Sequence, residues 1–358
     1  MPDKTAAMYY KYPRNVEDYA HTNNWEISAA VKILNSKGYS VDIIDRSNTN
    51  WQPNKKYDLF LGLGVGNRGA WFPEYAKRSG ADKRVLLAMG PQPDVSQERT
   101  LERYDRFKNR TGQYAPPMRT VEMVTGDVWK KIVEQATHIF NIGEKGSPSY
   151  NSYVGYGRPV LNFYPGISPH ATYNKDWLKT RDRNSFLCFA GNGFIIKGVD
   201  VVLEAFLKDP SKTLHICGPN SEKAFFDYYG SKIKESKNIN YHGFIKVGGD
   251  KFNQLASKCS YVIFNSASEA CCTSVCTAMK AGLVPIVNSW TGISIEKAGF
   301  KLQDDGDLIS NISEVVNRAA AVREDEYNKM VELTNEKAKM FSQESFIESY
   351  TKAIESVI

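Results

Sequence analysis

Short apolar runs alternate with longer stretches of helical periodicity along almost the whole chain, and this alternation limits the fold more than any other feature. A strand buried on both faces reads as a continuous apolar run, because helices cover both sides of its sheet. Such runs separated by amphipathic segments predict parallel strands joined by helical crossovers. In the first half the predicted strands are "AAMYY", "SVDIID", "DLFLGLG", "RVLLAM", "HIFNIG" and "PVLNFY". Between the first two, "NWEISAAVKILNSKG" (24–38) has helical periodicity and ends on a glycine suited to a helix C-terminus. The second half repeats the pattern with "SFLCFAG", "TLHICG", "INYHG", "YVIFNS" and "VPIVNS", and turns helical after about residue 307. A polar, turn-rich stretch at 165–184 separates the halves and reads as a connector. The expected architecture is α/β, with two doubly wound Rossmann-like domains facing a cleft.

Composition agrees with two domains of ordinary size. The 358 residues are 42% hydrophobic and 24% charged, which argues against disorder. No apolar run approaches the roughly 18 residues that suggest a membrane span. The opening "MPDKTAAMYYKYP" lacks the basic-then-apolar layout of a signal peptide, so a cytoplasmic protein is expected, and its six cysteines need not pair. Charge is uneven. Residues 1–180 hold 25 Lys and Arg against 18 Asp and Glu, and the remainder holds 21 against 22. The densest basic segment is "RTLERYDRFKNR" (99–110), where Arg99, Arg103, Arg106 and Arg110 would share one helix face. Its bland reading is a solvated face. Its functional reading is attraction to an acidic partner, either anionic membrane or, with no recognised motif to support it, nucleic acid.

Two segments carry chemistry. In "FAGNGFIIKGVDVVLEAF" (189–206) a strand runs through a glycine-containing turn, and Lys197-Gly198 opens a helix. Glycine lets backbone approach a ligand, and a helix N-terminus offers free N–H groups to an anion. Lys197 would add roughly 4 kcal/mol of gross Coulomb attraction at 4 Å and an effective dielectric near 20. In "SASEACCTSVCTAMKAGLV" (266–284), Glu269 follows a predicted buried strand, at the strand end where α/β sheets bind ligands. Cys272, Thr273 and Ser274 would open the next helix, and their small side chains leave its N–H groups accessible to a diphosphate. A carboxylate accepts hydrogen bonds from sugar hydroxyls but repels phosphate, so Glu269 suits the sugar end of a nucleoside-diphosphate sugar.

Taken in order over about residues 165–300, these segments, with "LHICG" and "YHGFI", resemble the donor domain of the GT-B glycosyltransferases. More narrowly they resemble the retaining nucleotide-sugar family that carries two glutamates eight positions apart. The first half resembles that family only in its β/α layout. The resemblance implies an acceptor-side domain at 1–165, rejoined by a C-terminal helix at about 342–358, and a donor domain at 166–341. It implies Lys197 at the donor diphosphate and Glu269 at the sugar hydroxyls. Gly191, Asn192 and Gly193 line the donor turn, with Gly218, Gly243 and Phe244 around the base. Two departures stand out: the arginine that follows the glycine in the family is Asn192 here, and the second glutamate, which meets the ribose, is Thr277. Losing one charged hydrogen bond costs roughly 1.5–3 kcal/mol, so altered donor binding is expected rather than inactivity. Arg68 in "GLGVGNRGAW", beside Gly66, is the candidate replacement cation on the acceptor side.

The implied partners are a nucleotide-sugar donor and a glycan or lipid-linked acceptor, with no metal or other cofactor. The rival readings are a non-catalytic nucleotide-sugar-binding relative and a basic surface-binding protein. Cys271, Cys272 and Cys276 offer metal ligands, but no His/Cys pair nearby completes a set, and packing is the simpler role. Asp305-Gly306-Asp307 imitates a metal-binding triplet, yet the helical "LISNISEVV" that follows makes a helix cap the better reading. "GLGVGNRG" (62–69) departs from dinucleotide-binding spacing. The five histidines are scattered, and none is assigned a role.

Overall fold

The computed structural model describes residues 4–13 and 22–358; His21 lies outside them. The chain forms two compact units. The first comprises Met1–Glu98, Thr120–Ile167 and Phe341–Ile358, and the second comprises Arg99–Arg119 and Ser168–Met340. The segment Arg99–Arg119, which sequence reasoning assigns to the first half, therefore belongs with the second unit.

In the first unit, β1 (Lys4–Tyr10), β2 (Tyr39–Asp45), β3 (Leu59–Leu63), β4 (Lys83–Ala88), β5 (His138–Ile142) and β6 (Val160–Phe163) form one parallel sheet in the order β2-β1-β3-β4-β5-β6. Its centre is as apolar as a two-sided sheet requires: Leu59, Phe60 and Leu61 are fully buried. The helices are α1 (Asn23–Ser36), α2 (Phe72–Ser79), the start of α3 (Pro93–Thr111), α4 (Asp127–Gln135) and the single turn α5 (Pro148–Asn151).

In the second unit, β7 (Asp182–Phe189), β8 (Thr213–Cys217), β9 (Ile239–Tyr241), β10 (Cys259–Phe264), β11 (Val284–Val287) and β12 (Phe300–Lys301) form another parallel sheet, ordered β12-β11-β10-β7-β8-β9. The connections run through α6 (Val199–Lys208), α7 (Lys223–Glu235), α8 (Asp250–Lys258) and α9 (Thr273–Lys280), followed by α10 (Leu308–Ala320) and α11 (Glu324–Ala338). Strand order reverses between β7 and β10, and at such a switch point the two following loops diverge and leave a crevice at the C-terminal strand ends. The last helix, α12 (Gln343–Glu355), belongs to the first unit, where Tyr350 packs edge-on against Phe140 and Phe163. The two-residue β12 has no sequence signal, being too short to form a run.

Candidate functional site

Lys197 follows β7 and Glu269 follows β10, so the two residues flank the switch point of the second sheet. Each loop is pinned by backbone. Ala267 N–H donates to Ile196 O (2.8 Å), Glu269 N–H to Trp290 O (3.0 Å) and Cys272 N–H to Thr291 O (3.0 Å), while Asn288 Nδ2 reaches Ser266 O (2.7 Å). Gly198, which precedes α6, has φ 73°. A Cβ there would sit 2.1 Å from Asn265 O and 2.7 Å from Arg103 Nη1, so both conformation and space require glycine.

The Lys197 ammonium pairs with Glu269 Oε1; their side chains are 7% and 18% exposed. Arg119 Nη1 lies 3.7 Å from the same oxygen, on a side chain 46% exposed. Burial pushes the Glu269 carboxyl up, but the Lys197 and Arg119 charges outweigh it and hold the group below the usual carboxylate range. The acid is thus kept ionised in a mostly desolvated place, and the trio retains one net positive charge.

Helix α9 opens beside this cluster. Val275 and Cys276 donate their N–H groups to Cys272 O, and no side chain caps the turn. A helix's first N–H groups lack intrahelical acceptors, so those of Thr273 and Ser274, both partly exposed, remain to meet a ligand. Thr277 is 5% exposed and donates its hydroxyl proton to Thr273 O (2.7 Å), so towards any ligand it can only accept. Cys271, Cys272 and Cys276 are buried free thiols. Burial and then the Glu269 charge raise the Cys272 thiol to about 11, which keeps it protonated.

The glycines expected around the donor follow successive strands of the same sheet. Gly191 and Asn192 are exposed after β7, and Asn192 Oδ1 accepts from Ser221 Oγ (2.9 Å). Gly193 has φ 85° and accepts from Lys197 N–H at 3.2 Å. Gly218, after β8, donates to Gly243 O (2.9 Å), which follows β9, and Phe244 beside it is 63% exposed. Gly66 and Arg68 lie after β3 in the first unit, where Arg68 O accepts from Tyr9 OH at 2.9 Å. Asp307 Oδ1 accepts from Ser310 N–H (3.1 Å) as the cap of α10.

The basic face at 99–110 differs from the reading of an open patch for an acidic partner. Arg103 is 4% exposed and donates to Asn265 O (3.0 Å) and Oδ1 (2.9 Å). Arg99 Nε donates to Ala267 O (2.7 Å), and its guanidinium lies 4.1 Å from the Trp290 ring centre. Arg110 pairs with the buried Asp200, and Arg106 with Glu102 (2.6 Å). Three of these four arginines brace the second unit, two of them on the backbone leading into Glu269. Tyr104 and Phe107, interleaved with the arginines and buried, were the available signal that this helix packs inward. Sequence reasoning missed Arg119 and also Glu222, which accepts from Tyr104 OH (2.5 Å) and from Ile195 N–H (2.9 Å).

Residues 174–298 match the model of the family described as glycosyl transferases group 1. No curated protein matches the sequence. Among solved structures the chain is similar to WaaG, a glycosyltransferase involved in lipopolysaccharide biosynthesis (15% identity, TM-score 0.59, covering 98% of this chain and 99% of that one). It is also similar to the catalytic domain of starch synthase IV from Arabidopsis thaliana bound to ADP and acarbose (11%, 0.60, 99% and 98%) and to Anabaena HepE in complex with UDP (10%, 0.64, 98% and 98%). The fold is that of the GT-B glycosyltransferases, and the matched segment contains both Lys197 and Glu269.

Proposed function

We propose that this chain is a retaining glycosyltransferase that moves a sugar from a nucleoside-diphosphate sugar to a hydroxyl on a glycan, glycolipid or similar acceptor. The observation that carries the reading is the Lys197–Glu269 pair at the switch point of the second sheet, beside the open first turn of α9. The group 1 match over that segment supports it, as do the ADP and UDP in similar structures.

In this reading the donor pyrophosphate takes Lys197 and the Thr273 and Ser274 N–H groups, which stabilise the charge that develops as the diphosphate leaves. Glu269, ionised and therefore acceptor-only, receives hydrogen bonds from the sugar hydroxyls and orients the ring. The bond from the anomeric carbon to the diphosphate oxygen breaks. The acceptor oxygen bonds to that carbon on the same face, and its proton passes to a departing phosphate oxygen. Charge neutralisation rests on side chains and backbone, so turnover should persist in a metal chelator.

Nucleoside diphosphate release from a panel of donors tests the reading. Lys197→Ala and Glu269→Ala should each remove most transfer from a folded protein, and the product's anomeric configuration by NMR should match the donor's. Near-normal turnover in both variants would end the assignment. Donor binding without transfer or donor hydrolysis would favour a non-catalytic relative. Among the described residues no helix is long and apolar enough to cross a membrane.

A further inference from the structure

The geometry points to Arg119 as the second cation of the pyrophosphate pocket, supplied by the segment Arg99–Arg119 in place of the charge absent at Asn192. This rests on the donor-binding reading above and extends it to a residue outside the matched family segment.

Lys197 makes the close contact to Glu269 Oε1, whereas Arg119 stands 3.7 Å from that oxygen. That distance is an ion pair but too long for a hydrogen bond. Arg119 makes no other ion pair or hydrogen bond among the described residues. Its five N–H donors are therefore uncommitted among the described residues, and a guanidinium presents them as a planar fork that matches two phosphate oxygens. The trio of Lys197, Arg119 and Glu269 carries one net positive charge. Adding a pyrophosphate would satisfy both cations while Glu269 turns to hydroxyl donors. Asn192, where the family resemblance places an arginine, is neutral and bonded to Ser221.

The segment is held for this task. Met118, the residue before Arg119, donates its N–H to Tyr104 OH (3.2 Å), and Tyr104 donates to Glu222 Oε1 (2.5 Å). The other oxygen of Glu222 accepts from Ile195 N–H (2.9 Å), two residues before Lys197. One hydrogen-bonded chain thus runs from the backbone beside one cation to the backbone beside the other. Arg99 and Arg103 fix the start of the segment to the loop that bears the shared carboxylate.

The test uses isothermal titration of the full chain with UDP, GDP and ADP and with the matching monophosphates. Arg119→Ala should weaken the preferred diphosphate by about 10- to 150-fold, the loss of one charged hydrogen bond. It should weaken the monophosphate far less, and Arg119→Lys should fall between. A merely structural role would shift the melting temperature and weaken both ligands together, which would overturn the proposal; Arg119→Gln serves if the alanine variant does not fold. If Arg119→Ala binds the diphosphate like the wild type while Lys197→Ala does not, Arg119 is excluded and the donor reading stands. A wild-type chain that prefers no diphosphate over its monophosphate overturns both.

Discussion

Glu26 and Glu269 are both largely withdrawn from water, one in each unit, and their carboxyls shift in opposite directions. Glu26 is 5% exposed beside a cavity of about 30 Å³ lined by residues such as Met8, Ile27, Leu87, Phe163 and Tyr350. Its Oε1 accepts from Gly166 N–H (3.1 Å), and its Oε2 has no hydrogen-bond partner among the described residues. Burial, opposed only by hydrogen bonds, raises it to about 7. Glu269 meets two cations and is lowered instead. Depth alone therefore says little about a buried acid; the charges facing it decide whether it stays ionised.

The largest expected effect comes from converting one case into the other. Removing both cations with Lys197→Met and Arg119→Ala should let burial dominate and raise the Glu269 carboxyl above its ordinary value. Donor turnover should fall by at least ~10²–10³-fold, the scale of losing a charge-stabilising donor. Carbon-13 carboxyl titration and nucleoside diphosphate release check the two parts.

Next is Glu26→Gln. The folded protein holds a proton on Glu26 that the unfolded chain releases near 4.5, so this group's contribution to stability is lost as pH rises from there through about 7. The full difference is of order 3 kcal/mol. The glutamine variant should be more stable than wild type at pH 8, similar at pH 4, and flatter between them. Chemical denaturation at several pH values measures this, and a wild type that loses no stability relative to the glutamine variant over that window would contradict the comparison.

Tyr104→Phe should have a smaller effect, about 1 kcal/mol of stability for the lost Glu222 hydrogen bond. A few-fold loss of diphosphate affinity should accompany it as both cations loosen. Smallest is Thr277→Glu, which places a second glutamate eight positions after Glu269. It should leave the fold intact and shift preference among UDP, GDP and ADP.

The same contrast explains what the sequence could reveal. Parallel strands such as "YVIFNS" are legible because burial on both faces makes them continuous apolar runs. Lys197 and Glu269 are legible because each lies in the loop that follows such a run. Arg119 sits in "QYAPPMRT", which has no periodicity, and it meets Glu269 only through the tertiary fold. The arginines at 99–110 looked solvated because charge dominates that stretch; their acceptors, Asn265, Ala267 and Asp200, are distant in sequence. Glu26 gives no warning either, since a single acid in the first turn of α1 ordinarily faces water.

Carboxyl resonances of Glu26 and Glu269, followed together by NMR while a panel of nucleoside-diphosphate sugars is added, report whether the Lys197–Glu269 cluster receives the donor. Glu269 should begin ionised at neutral pH and shift on addition of at least one donor, while Glu26 titrates near 7 and stays in place. A Glu269 that titrates like Glu26, or that responds to no donor, would contradict this.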